Sequence, residues 1–60
     1  MYNIDIRTEL KQNRIYGYEI AAALGIAETS FSRMMARSEL KLERKEEIRN
    51  AIAKIRGIRR

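Results

Sequence analysis

Residues 17–36 read GYEIAAALGIAETSFSRMMA, and this stretch decides the fold. In its first half Ile20, Ala21 and Leu24 fall at the spacing that lines apolar side chains along one face of a helix. Gly25 comes next, and a glycine there takes the left-handed conformation that closes a helix without a Cβ clash, so a helix over 17–24 is expected to end in a sharp turn. In the second half Phe31, Met34 and Met35 repeat the helical spacing, with Ile26 at the entrance, which predicts a helix over 28–37 whose other side is polar. Ala21 is small enough to let two such helices approach closely at a steep angle.

Working outward, Ile6 and Leu10 predict a helix over 4–12, with Asn3 or Asp5 to cap its start. The link 13–16 is short. Tyr16 is expected to be buried against the first helix. After a connection at 38–41, anchored by Leu40, the spacing of Ile48, Ala51, Ile52 and Ile55 predicts a last helix over 42–56. Glu43, Arg44, Lys45, Glu46, Glu47 and Arg49 read as its solvated face, and residues 57–60 as a fraying basic tail. The expectation is one all-α domain of four helices over residues 1–60.

Composition narrows the function classes. With 60 residues there is room for one small core and a thin margin of stability. No cysteine is present, which removes disulfides and zinc fingers and suits a reducing, cytoplasmic setting. No histidine is present and Asp5 is the lone aspartate, so Ser30, Ser32 and Ser38 have no evident base; we expect no enzyme, no metal and no cofactor. The three glycines are too scattered for a phosphate-cradling loop, and no small-molecule substrate is implied. The longest apolar run, Ile20 to Leu24, is far short of a membrane span. Tyr2, Tyr16, Tyr18 and Phe31 are too few to stack single-stranded nucleic acid.

The net charge of +5 is unevenly placed along the chain. Acids and bases cancel over 1–27 and again through Glu47, whereas Arg49, Lys54, Arg56, Arg59 and Arg60 face no acid in sequence. That excess favours an anionic partner, although cations at a helix C-terminus also simply complement the dipole.

The segment YEIAAALGIAETSFSRMM resembles the helix-turn-helix of the lambda-repressor and Cro-like superfamily, and in particular short phage and mobile-element proteins of Gram-positive bacteria. The resemblance implies that 28–37 is a recognition helix entering the major groove of double-stranded DNA from its N-terminal end. The matching base-contacting positions are Ala27, Glu28, Thr29, Ser32 and Arg33. Arg33 suits a guanine edge or a phosphate; Glu28 suits a cytosine amino group or, more simply, the helix dipole. Thr29 suits a thymine methyl, and Ser32 a base or a phosphate. Phosphate contacts are implied for Arg14, Gly17, Tyr18, Ser30 and Arg37. The tail with Arg56, Arg59 and Arg60 would track the backbone or a minor groove, or stay disordered.

Two departures from the pattern stand out. Gly17 replaces a common glutamine, and Ala27 replaces the usual serine or threonine cap, at a cost of about 1 kcal/mol. The chain also ends after four helices where the superfamily commonly has five. The function implied is a sequence-specific transcriptional regulator, a repressor of a phage or mobile element, acting as a homodimer on a pseudo-palindrome. Tyr2, Met35, Ile55 and Ile58 are the residues whose burial within one subunit is not assured, which makes them candidates for the dimer surface. The alternatives are an excisionase-like architectural protein that bends DNA, and a protein-binding module such as an antitoxin or a phage inhibitor.

Overall fold

The computed structural model describes residues 1–58. Its helices are α1 (Ile4–Gln12), α2 (Gly17–Leu24), α3 (Glu28–Arg37) and α4 (Leu42–Ile58), and no strand occurs among the described residues. The all-α, four-helix architecture is therefore the one the periodicity predicts. The apolar stripes meet in a single core: Ile6 and Leu10, Ile20 and Ala21, Phe31 and Met35, and Ile48, Ala51 and Ile52 are all buried. Leu24, Ile26, Met34, Leu40 and Ile55 pack partly buried around them. Full burial of one such isoleucine is worth about 1.5 to 3 kcal/mol. Against a total of about 3 to 9 kcal/mol for a chain of this size, each core side chain matters.

The turn between α2 and α3 forms as Gly25 requires. Gly25 has φ 74°; its amide donates to the Ala22 carbonyl at 3.1 Å, and the Ile26 amide donates to the Ala21 carbonyl at 2.9 Å. These are the paired bonds of a Schellman closure. The end of α1 repeats the arrangement without a glycine. Arg14 adopts φ 54°, its amide donates to the Lys11 carbonyl at 3.1 Å, and the Ile15 amide donates to the Leu10 carbonyl at 2.9 Å. The left-handed conformation costs a non-glycine residue about 1 to 2 kcal/mol. It also turns the chain so that Ile15 enters the core at 5% exposure, one residue before the position of the link that the sequence reading expected to be buried.

Four further expectations are corrected by the packing. Met35 is 3% exposed: it belongs to the core and is not available as a dimer surface, whereas Tyr2 and Ile58 are exposed. α4 continues through Gly57 to Ile58, because Gly57 keeps a negative φ and no proline or left-handed residue stops the helix there. Of the expected fraying tail, Gly57 and Ile58 are thus helical, while Arg59 and Arg60 lie outside the described residues. Lys45 and Arg49 are not part of a purely solvated face. Lys45 Nζ binds Asp5 Oδ2 at 3.1 Å and also Glu39 Oε2, and Arg49 binds Glu9 Oε2 at 2.9 Å and Asp5 Oδ2 at 3.3 Å. These pairs tie α4 to α1 and to the α3–α4 link. Arg44, by contrast, pairs along the helix with Glu47 at 2.9 Å, as its spacing predicts.

Asn3 is the fourth correction. It stands at the N-cap position of α1, in the left-handed region with φ 60°, but its side chain makes no cap bond there. The side chain is fully buried and points across the fold instead. Nδ2 donates to the Met35 carbonyl at 2.9 Å and to the Ser38 carbonyl at 3.0 Å, and Oδ1 accepts the Leu40 amide at 2.8 Å. The Asn3 amide donates to Glu39 Oε1 at 2.9 Å. α3 ends at an extended Ser38, with no left-handed residue to close it. Asn3 therefore supplies from another segment the partners that this helix end requires.

Candidate nucleic-acid interface

The geometry of α3 follows from which of its residues are drawn inward. Phe31 and Met35 are buried and Met34 is half-buried, so the other positions of α3 are left to solvent. Ala27, Glu28, Thr29, Ser30, Ser32, Arg33, Ala36 and Arg37 are all exposed. At the 3.6-residue period Thr29, Arg33 and Ala36 point most directly outward, with Ser32 on one flank and Ser30 and Arg37 on the other. The five expected base-contacting residues are all exposed: Thr29, Ser32 and Arg33 share the outer side of α3, whereas Ala27 and Glu28 stand at its N-terminal end, nearer the side of Phe31.

A cleft borders α3 on each flank. On the Ser32 side the cleft is lined by Gly17, Phe31, Ser32 and Ala36 together with Arg7 and Leu10 of α1. On the other side Ser30, Arg33 and Arg37 line a cleft with Met34, Ser38 and Leu40. Of the expected phosphate-contacting residues, Gly17 therefore lies on the first flank, and Ser30 and Arg37 on the second. Gly17 is held against the Phe31 ring: a Cβ built on it would stand 3.6 Å from Cδ2 and Cε2, an ordinary contact. An alanine at position 17 is therefore compatible with the packing of α2 on α3.

Ala27 has an extended backbone and makes no side-chain cap bond, so α3 begins without a side-chain cap. Its backbone carbonyl accepts the Phe31 amide at 3.0 Å. The uncapped amides of the first turn and the positive end of the helix dipole are consequently presented to solvent beside Glu28, Thr29 and Ser30. α2 starts differently. Glu19 Oε2 accepts the Tyr16 amide at 2.8 Å, the carboxylate half of a capping box.

Tyr16 is 64% exposed, contrary to the burial expected of it. Ile15 fills the core position instead, and the Tyr16 ring lies outside on Tyr18, centroids 5.8 Å apart and planes within 7°. The two rings form an offset stack at the start of α2, so Tyr18, expected to meet a phosphate, shares its face with Tyr16. Sequence spacing could have paired them only if Ile15 had first been recognised as the inward residue.

Two positively charged residues beside this surface were not singled out by sequence. Arg7 lines the cleft that holds Gly17 and Ser32, and it also lines a groove with Lys11, Arg14, Ile15 and Tyr16. Counted along the chain, the charges of 1–27 cancel; in the fold they separate. Asp5 and Glu9 turn to α4, where Lys45 holds the Asp5 carboxyl below its usual range, while Arg7 stays in the cleft next to α3 and Lys11 in the adjoining groove along α1. None of the helices among the described residues is long and apolar enough to cross a membrane. Comparison of the chain with protein-family models, with curated proteins and with solved structures yields no match.

Proposed function

We propose that the protein is a sequence-specific double-stranded DNA-binding regulator that reads the major groove with α3, acting as a phage or mobile-element repressor. One observation carries this reading: Thr29, Ser32 and Arg33 form an exposed polar ridge on a helix anchored by the buried Phe31 and Met35, with hydroxyl and guanidinium groups on both flanks. A helix with side chains is about 10 to 12 Å across and a major groove about 12 Å wide, so such a ridge fits between two phosphate strands. The tight Gly25 turn leaves α2 beside α3 with Gly17 near one flank, where its backbone amide suits a phosphate.

In this reading Arg33 donates to a guanine edge, Thr29 and Ser32 complete the base contacts, and Arg37 and Ser30 bind a backbone strand. A homodimer would place two copies of α3 about 34 Å apart on successive major grooves. The mutational test compares Arg33→Ala with Arg37→Ala on a specific duplex and on a random one. Arg33→Ala should cost about 1 to 3 kcal/mol on the specific duplex and little on the random one, whereas Arg37→Ala should weaken both alike. Equal small losses in all four measurements would remove Arg33 from the base-reading role.

A further inference from the structure

We propose that Arg7 and Lys11 form an anion track that holds the phosphodiester strand passing on the Ser32 side of α3. The inference rests on the duplex-binding reading and adds to it two residues that neither the motif nor the charge pattern along the sequence identifies.

The argument begins with how α1 divides its charges. Its buried stripe is Ile6 and Leu10. Asp5 and Glu9 lie on one side of that stripe and Arg7 and Lys11 on the other, as the helical period dictates. The acidic side is fully engaged: Asp5 meets Lys45 and Arg49, and Glu9 meets Arg49. Those acids are therefore held away from the opposite flank, and among the described residues no carboxylate pairs with Arg7 or Lys11.

The position of the cations then matters. Arg7 is fixed by a bond from its Nε to the Tyr2 carbonyl at 3.0 Å, and it lines the same cleft as Gly17, Ser32 and Ala36. Lys11 follows one turn later, in the groove it shares with Arg7 and Arg14. The two positive charges thus run from the flank of α3 along the edge of α1. The other flank of α3 has its own cation in Arg37. A helix seated in a groove has a phosphate strand on each side, and this arrangement offers positive charge to both. Neutralising a phosphate with an arginine or lysine releases a counterion, so the track has a thermodynamic signature separate from base reading.

The test uses the full chain and a fluorescein-labelled duplex of random sequence, titrated at several sodium chloride concentrations. The variants are the pair Arg7→Gln with Lys11→Gln, and the charge-conserving pair Arg7→Lys with Lys11→Arg. Loss of two phosphate contacts should make the slope of log K against log salt less steep by about 2, while the charge-conserving pair keeps the wild-type slope. Circular dichroism should show all three proteins equally helical, because both side chains are exposed. Salt-dependent binding with an unchanged slope in the glutamine pair would overturn the track and leave the duplex-binding reading standing. Wild-type protein that binds no duplex even at low salt would overturn both.

Discussion

The side-chain amide of Asn3 donates to the backbone carbonyl of Met35 at 2.9 Å, a bond spanning 32 residues of sequence. It joins the first ordered turn of the chain to the last turn of the helix that presents the candidate interface. With Ser38 and Leu40 also bound to the same side chain, Asn3 fixes where α3 ends and where the link to α4 begins. Among the described residues no buried side-chain nitrogen or oxygen lacks a partner, so this clasp is complete.

Removing the clasp should be costly. Asn3→Ala leaves the Met35 carbonyl and the Leu40 amide without their partner and places alanine at φ 60°. The expected loss is about 2 to 4 kcal/mol, a large share of the total for so small a domain. Urea unfolding of the variant checks it. A midpoint within error of wild type would show that water replaces these bonds without penalty.

Two left-handed positions should respond to substitution with opposite sign. At Gly25 a Cβ meets nothing within 4 Å, so Gly25→Ala suffers only the backbone cost of φ 74°, about 1 kcal/mol. Arg14 already bears that cost at φ 54°, and Arg14→Gly should relieve it by about 0.5 to 1 kcal/mol. Thermal melts of both variants should therefore move in opposite directions, by about 4 to 8 °C per kcal/mol. A lower Tm for Arg14→Gly would mean that contacts of the arginine side chain outweigh its backbone strain.

The ion pairs predict a pH profile. The bond from Lys45 is the main reason that the Asp5 and Glu39 carboxyls are held below their usual range, and at Glu39 the Asn3 amide lowers it further. Because these values are lower in the folded state, the stabilisation is present above the ordinary carboxylate range, about pH 4 to 4.5, and is lost as pH falls through the lowered values. Lys45 is raised, chiefly by its bond to Glu39, so its contribution is complete below its ordinary value of about 10.4 and is lost only as pH rises through the raised one. Tm should be flat through neutral pH and fall in acid. Lys45→Met should lower Tm at pH 7 and flatten the acid limb; an unchanged acid limb would assign the acid sensitivity to other groups.

Phe31 joins the fold to the candidate interface, since it is 3% exposed and stands 3.6 Å from where a Cβ on Gly17 would be. Truncation of a buried aromatic costs about 3 to 5 kcal/mol, so Phe31→Ala should unfold the domain or leave it largely unfolded at 37 °C. Retention of the full helical circular dichroism signal and of the wild-type Tm would contradict this. The milder change Gly17→Ala should keep the fold and raise stability by about 0.5 to 1 kcal/mol.

The helices were legible because each has an apolar stripe at a period of 3.6, and the α2–α3 turn because Gly25 marks it. What escaped was structure made by an unusual local conformation or by residues distant in sequence. Ile15 sits in a short link with no periodic neighbours, and its burial depends on Arg14 adopting a conformation that no arginine advertises. Asn3 has the composition of an N-cap, and only the position of α3 reveals that its partners lie elsewhere. The outer face of α3 was readable from Phe31, Met34 and Met35. The positive flank was not, because Asp5 and Glu9 cancel Arg7 and Lys11 in any count along the chain and are drawn away from them only by Lys45 and Arg49.

The most direct test of the central claim is selection of bound sites from a pool of randomised duplex DNA, at a salt concentration high enough to suppress non-specific binding. The account predicts enrichment of a dyad whose half-sites lie about one helical turn apart, with the half-site preference changed by Arg33→Ala. Enrichment of clustered direct repeats would point to the architectural, DNA-bending alternative. Recovery of no preferred sequence at any salt concentration would contradict the assignment of α3 as a reader of the major groove.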